Sequence, residues 1–166
     1  MLVSHRHKFV FIHIPKTGGS AVEAALDDAC EVVATINDHA RGCADANAWI
    51  HARVENVRRR FVRINEWEDY RRFTIVRNPW ERLHSHWSYY RAVWQAHGEK
   101  APAKPNGHWQ MVERGARLPF AEWLHTISAI QMHPFLSICC DRRGRPLVDR
   151  VLRYEKLHDE WPKLLA

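Results

Sequence analysis

Apolar residues along this chain fall into short runs separated by polar, glycine-bearing or proline-bearing breaks, a pattern that predicts strands alternating with helices. Phe9 to Ile14 is short, aromatic and β-branched and is closed by Pro15, which predicts a buried strand. The run Ala21-Val-Glu-Ala-Ala-Leu26 predicts a helix soon after it. Glu31 to Ile36 predicts a second strand, Asn37 to Asn47 a polar loop, and Trp49 to Phe61 a helix. Phe73 to Arg77 predicts a further strand, broken by Asn78-Pro79. The long helix expected from Pro79 to His97 then has its proline in the first turn, where a missing N–H costs nothing. Gly98 to Leu118 holds Gly98, Pro102, Pro105, Gly107 and Gly115 and predicts a loop, long enough to be functional or mobile. There is no internal repeat and no linker, and 166 residues suit one domain with a sheet covered by helices on both faces.

The break after the first strand carries chemistry. Pro15-Lys16-Thr17-Gly18-Gly19-Ser20 leads from a strand through a glycine turn into a helix, the geometry that aims backbone N–H groups at an anion. The glycines let the backbone approach a phosphate, Lys16 adds a full positive charge, and Ser20 adds a hydroxyl at the helix start. This is not a Walker loop: the two glycines that pattern requires before its lysine are Pro15 and Val10 here. A βα turn that needs glycine only for packing is the plainer alternative. A second segment argues against it. Arg77 stands at the carboxyl end of a strand, the edge where open α/β sheets bind ligands, and Ser85 lies about two helical turns into the helix that follows. An arginine so placed is more often a surface or capping residue, but beside the first cradle it suggests a second phosphate subsite.

Together the two segments resemble the sulfotransferases that use 3′-phosphoadenosine 5′-phosphosulfate (PAPS), most of all the carbohydrate branch of heparan and chondroitin type and its bacterial relatives. In that family a Pro-Lys-Thr-Gly-Gly-[ST]-[ST] loop holds the 5′-phosphosulfate and an Arg-[ND]-Pro-x-x-Arg-x-x-Ser segment the 3′-phosphate. Here these are Pro15 to Ser20, with Ala21 in place of a second hydroxyl, and Arg77-Asn-Pro-Trp-Glu-Arg-Leu-His-Ser85. Val148 to Glu155, followed by Leu157, resembles the strand and helix start that close the family's core. The resemblance implies an α/β fold, a three-layer αβα arrangement around a mainly parallel sheet of the P-loop-like sulfotransferase type. It also implies PAPS as sulfuryl donor and the bisphosphate nucleotide PAP as product, with no metal. Pro15, Lys16, Thr17, Gly18, Gly19 and Ser20 would serve the 5′ side, Arg77 and Ser85 the 3′ side, and a hydroxyl on a carbohydrate or small metabolite would be the acceptor. Relatives continue past the point matching Ala166, so the chain is expected to lack the family's C-terminal segment.

Such a transfer needs a group to stabilise the leaving oxygen, for which Lys16 is placed, and a base to take the acceptor's proton. Of twelve histidines, His51 is the best candidate. It resembles the family's His-x-[TA]-x-x-x-[IVL]-[RK] helix start, upstream of a Trp-x-x-[YF] element that Trp67-Glu-Asp-Tyr70 matches. His39, a loop histidine after the second strand, competes with it. His13 is expected to point into or along the sheet. The net charge of +6 suits an anionic cofactor or an acidic acceptor and would equally suit nucleic acid. Arginine runs such as Arg58-Arg-Arg60 are more often a solvated face, and no nucleic acid is expected. Cys30, Cys43, Cys139 and Cys140 form no C-x-x-C pair and read as reduced thiols. Met1 to Lys8 is polar, unlike a secretory leader, and no run approaches a membrane span, so a cytoplasmic, bacterial protein is expected. A nucleotide-kinase-like phosphotransferase and a non-catalytic module binding nucleotide or nucleic acid are the alternatives.

Overall fold

In the computed structural model, which describes residues 1–35, 40–43, 46–98, 107–127 and 134–165, the chain opens with a strand that its polar neighbours His5-Arg-His-Lys8 conceal in the sequence. This is β1 (Leu2–Ser4), and it turns back into β2 (Phe9–Ile12) with Lys8 in a left-handed conformation at φ 52°. There follow α1 (Gly19–Leu26), β3 (Val32–Ala34), β4 (Ala40–Arg41), α2 (Ala46–Trp49), α3 (Val54–Phe61) and β5 (Arg71–Val76). Then come α4 (Pro79–His97), α5 (Gly107–Arg117), α6 (Phe120–Leu124), α7 (Phe135–Cys139), β6 (Arg150–Arg153) and α8 (Leu157–Leu165). Two compact units result: residues 1–77 with 133–166, and residues 78–132.

The first unit is built on a six-stranded sheet in the order β4-β3-β1-β2-β5-β6. Alternate residues of each strand leave by opposite faces, and the core divides accordingly. Val3, Val10, Ile12 and Val32 belong to one apolar cluster, together with Val54 and Val57 of α3 and Ile138 of α7. Leu2, Phe11, Val33 and Phe73 belong to the other, with Val22 of α1 and with Leu157 and Trp161 of α8 against it. Phe11 pairs with Phe73 across β2 and β5, ring centroids 5.1 Å apart, and each such burial contributes about 1.5–3 kcal/mol.

The mainly parallel sheet expected from the resemblance is in fact mixed. β2–β5 and β5–β6 are parallel, whereas β1–β2, β1–β3 and β3–β4 are antiparallel. The cause is β1 and β4: β1, a hairpin strand inserted between β2 and β3, runs against both neighbours, so β3 points the same way as β2 and only β1 and β4 are reversed. Two boundaries also differ from expectation. β2 ends at Ile12, which leaves His13 and Ile14 in the loop, and the helix expected from Trp49 to Phe61 is broken at residues 50–53, which sets His51 between α2 and α3.

The second unit is helical. The expected loop over 98–118 is a helix, α5, from Gly107 onward; its first part lies outside the described residues. Gly115 is no breaker here. A Cβ at that position would come within 2.7 Å of Tyr90 Cβ, so the glycine lets α5 lie close on α4. Tyr90, Val112 and Trp123 are the buried centre, with Trp87, Trp94 and Phe120 around them. Trp87 Nε1 donates to the Leu118 carbonyl at 3.0 Å, which gives the indole N–H its partner. Among the described residues of the whole chain, no helix is long and apolar enough to cross a membrane. The cysteines are free thiols, and burial pushes Cys30 and Cys139 up to about 12, so neither supplies a thiolate near neutrality.

Candidate functional site

Three parallel strands end at one edge of the sheet, and each delivers a polar side chain there. β2 runs into the loop carrying Lys16, β5 into Arg77, and β6 into Tyr154. This is the carboxyl edge of the sheet's parallel part.

The loop between β2 and α1 is tightly determined. Lys16 has φ 65° and Gly18 φ 86°. A lysine in the left-handed region costs on the order of 1–3 kcal/mol, a strain that surroundings must impose and that concentrates at functional sites. Thr17 is buried, and its hydroxyl donates to the Ile14 carbonyl at 2.8 Å, so this side chain ties the loop to the strand end. Gly18 is the N-cap of α1, and no side chain caps that helix among the described residues. The first-turn N–H groups of α1 thus emerge beside Lys16 with no capping oxygen supplied from a side chain, which is what an anion cradle requires. Gly19 is buried, and Ser20 is exposed on the first turn.

Both glycines are required by neighbours. A Cβ on Gly18 would lie 2.8 Å from the Tyr154 ring, and one on Gly19 would clash with the Cδ2–Nε2 edge of the His13 imidazole. Tyr154 in turn carries Arg77, whose guanidinium carbon stands 4.4 Å from the ring centroid in a cation–π contact. Lys16 and Arg77 are near one another: burial first, and then the Arg77 guanidinium, hold the Lys16 ammonium below its ordinary value. Two cations kept close in a partly buried place repel, and an anion bound between them relieves both. A polyanion therefore fits these residues better than a neutral ligand does.

His51 adjoins this loop through His13. Its Nδ1 lies 3.1 Å from the His13 carbonyl oxygen, and the two rings meet edge-on with centroids 4.7 Å apart. A carbonyl only accepts, so the His51 proton sits on Nδ1 and the basic nitrogen is Nε2. His13 is buried and its Nδ1 is 2.9 Å from Glu23 Oε1.

The α/β unit thus brings together Pro15 to Ser20, Arg77 and His51. Ser85 lies on α4 in the helical unit, and His39 lies outside the described residues. Asn78 caps α4, its side chain accepting from the backbone N–H groups of Trp80 and Glu81. Among the described residues no three His, Cys, Asp or Glu side chains are grouped to hold a metal. Three residues of the candidate site carry little signal in the sequence. Tyr154 was legible only as part of a closing strand, and His13 only as a sheet residue. Glu23 had one signal, a lone carboxylate in the otherwise apolar run Ala21 to Leu26.

Residues 1–166 match the model of the sulfotransferase family. Neither a curated protein nor a solved structure matches the chain.

Proposed function

The chain belongs to the sulfotransferase family, and from that premise we propose that it moves a sulfuryl group from PAPS to a hydroxyl on a carbohydrate or small metabolite, in a P-loop-like, three-layer fold. The observation that supports this most is the meeting of Lys16 and Arg77 beside the uncapped start of α1. In this reading Pro15, Lys16, Thr17, Gly18, Gly19 and Ser20 hold the 5′-phosphosulfate, largely through backbone N–H groups, while Arg77 and Ser85 serve the 3′-phosphate. PAPS supplies the activated sulfuryl group. Lys16 balances the charge that grows on the leaving oxygen, and His51 Nε2 takes the acceptor's proton. The carbohydrate branch of the family, a cytoplasmic place of action and a bacterial source belong to the same proposal.

Calorimetry tests it. PAP should bind with no divalent metal present, and more weakly as salt rises, because two anion subsites carry the affinity. Binding of ATP with Mg²⁺ but not of PAP would point instead to a kinase-like phosphotransferase. Strongly salt-dependent binding of RNA or DNA, with none of PAP, would assign the arginine-rich surface the leading role.

A further inference from the structure

Behind the anion loop lies a buried polar chain that the roles above leave unused. Glu23, on α1, is only 2% exposed. Its Oε1 lies 2.9 Å from His13 Nδ1 and 2.5 Å from the Met1 amino nitrogen. Burial pushes the Glu23 carboxyl up, but the hydrogen bond from His13 and the Met1 ammonium more than offset it, and the carboxyl ends below its usual range. Burial drives the His13 imidazole the other way, below the ordinary histidine value, against the pull of Glu23. The groups facing His13 are therefore Glu23 from α1, the Met1 ammonium ahead of β1, Lys16 from the loop and His51 from the segment before α3. Neutral imidazole beside an ionised carboxylate must carry its proton on Nδ1, since the carboxylate only accepts.

Besides stacking on Phe11, with centroids 5.9 Å apart, this ring has two further contacts. It fills the space in which a Cβ of Gly19 would stand, and it forms one wall against the ring of His51. One imidazole therefore touches both the loop assigned to the donor and the residue assigned to the acceptor's proton. The hydrogen bond from His51 Nδ1 to the His13 carbonyl ties the same two parts through the main chain, and the ring adds the contact to Gly19.

We propose that Glu23 is a positioning residue for sulfuryl transfer: by holding His13, it keeps Gly19 and His51 in one fixed relation. The inference rests on the reading of Lys16 and His51 given above.

The test compares Glu23→Ala and Glu23→Gln for kcat, KM for PAPS, PAP affinity and melting temperature. Alanine leaves the His13 ring unheld, and kcat should fall by roughly 10- to 100-fold, the scale of a misplacement of about 1 Å, while PAP affinity stays within the same order of magnitude. Glutamine keeps an acceptor oxygen at the same reach and should restore most of kcat. A wild-type kcat in the alanine variant with only a lower melting temperature would overturn the proposal, and so would equal losses of kcat in both variants. A measurement on the unaltered protein stands beside these in case the alanine variant does not fold. Long-range ¹H–¹⁵N spectra of the histidine rings should show the Nδ1–H tautomer at His13 and His51, and the Nε2–H tautomer at either overturns the arrangement. Wild-type protein that binds no PAP defeats the sulfotransferase reading itself; PAP binding with unchanged kcat in Glu23→Ala defeats only the role of Glu23.

Discussion

The turns that follow β2 and β5 solve the same problem, a strand handing the chain to a helix, in opposite ways. After β5, Asn78 accepts hydrogen bonds from the N–H groups of Trp80 and Glu81, and Pro79 removes a third donor from the first turn. After β2, Gly18 has no side chain to offer, and α1 begins without a side-chain cap among the described residues. One helix start is satisfied by a side chain; the other has no side-chain cap, and of its first-turn donors Ala21 N–H turns back to the Gly18 carbonyl at 3.1 Å. The charged side chains differ correspondingly. Lys16 is held in a strained backbone conformation inside the turn, whereas Arg77 leans on the face of Tyr154. In the proposed reading the first turn binds an anion through the backbone, and the second contributes to that binding through one side chain.

The sharpest way to break this contrast is Lys16→Ala. Both residues share the unfavourable left-handed φ, so the substitution isolates the charge. Transfer should fall by about 10²–10³-fold, the scale for a lost electrostatic contact to developing charge, and affinity for inorganic sulfate should fall with it. Melting temperature in the absence of anion should nevertheless rise near neutral pH. The sign follows from the lowered value of Lys16: the folded protein binds this proton less tightly than the unfolded chain does, so the charged ammonium burdens the fold at neutrality, and the burden fades as pH rises from the lowered folded value to the ordinary lysine value. Sulfate affinity should accordingly begin to fall at a lower pH than an unperturbed lysine would impose. An unchanged melting temperature would remove the claim that burial and the nearby Arg77 burden this ammonium.

Gly19→Ala comes next. Its Cβ meets the His13 ring, and the displaced loop should lose about 10²-fold in sulfate and PAP affinity alike, measured by calorimetry. Arg77→Ala should be selective where Gly19→Ala is not. A charged hydrogen bond is worth about 1.5–3 kcal/mol, so PAP should weaken by roughly 10- to 150-fold while adenosine 5′-phosphosulfate, which lacks the 3′-phosphate, changes little. Equal losses for the two ligands would dissolve the distinction between the turns. The smallest effect is expected from Asn78→Ala, which removes the cap of α4 and should cost about 1 kcal/mol in a denaturant titration with no change in sulfate affinity.

Legibility in the sequence followed how local the determinants are. β2, β5 and α4 could be read because their signals lie within a few residues: a β-branched run, a proline in the first helical turn, a glycine pair. β1 could not, since two apolar residues and a serine between Met1 and a polar turn become a strand only when β2 and β3 flank them. α5 was hidden by Gly107 and Gly115, for the second of these serves the approach to Tyr90, which no local rule contains. The same division runs through the site. Lys16 and Arg77 stand out beside glycine and Asn-Pro breaks, whereas Glu23 reaches His13 across ten positions and Tyr154 reaches Gly18 across the sheet. Contacts of that kind are properties of the assembled fold.

The three strand ends at the binding edge come from residues 16, 77 and 154, almost the full span of the chain. Parallel neighbours cannot be joined by a tight turn, so β6 finds its place beside β5 only through a long-range search of the kind that slows folding. On a ribosome, the Lys16 loop would be made long before the Tyr154 ring that backs Gly18 and carries Arg77. An anion bound at this edge, as proposed, would therefore recognise the finished topology and by mass action favour the completed pairing of β5 with β6.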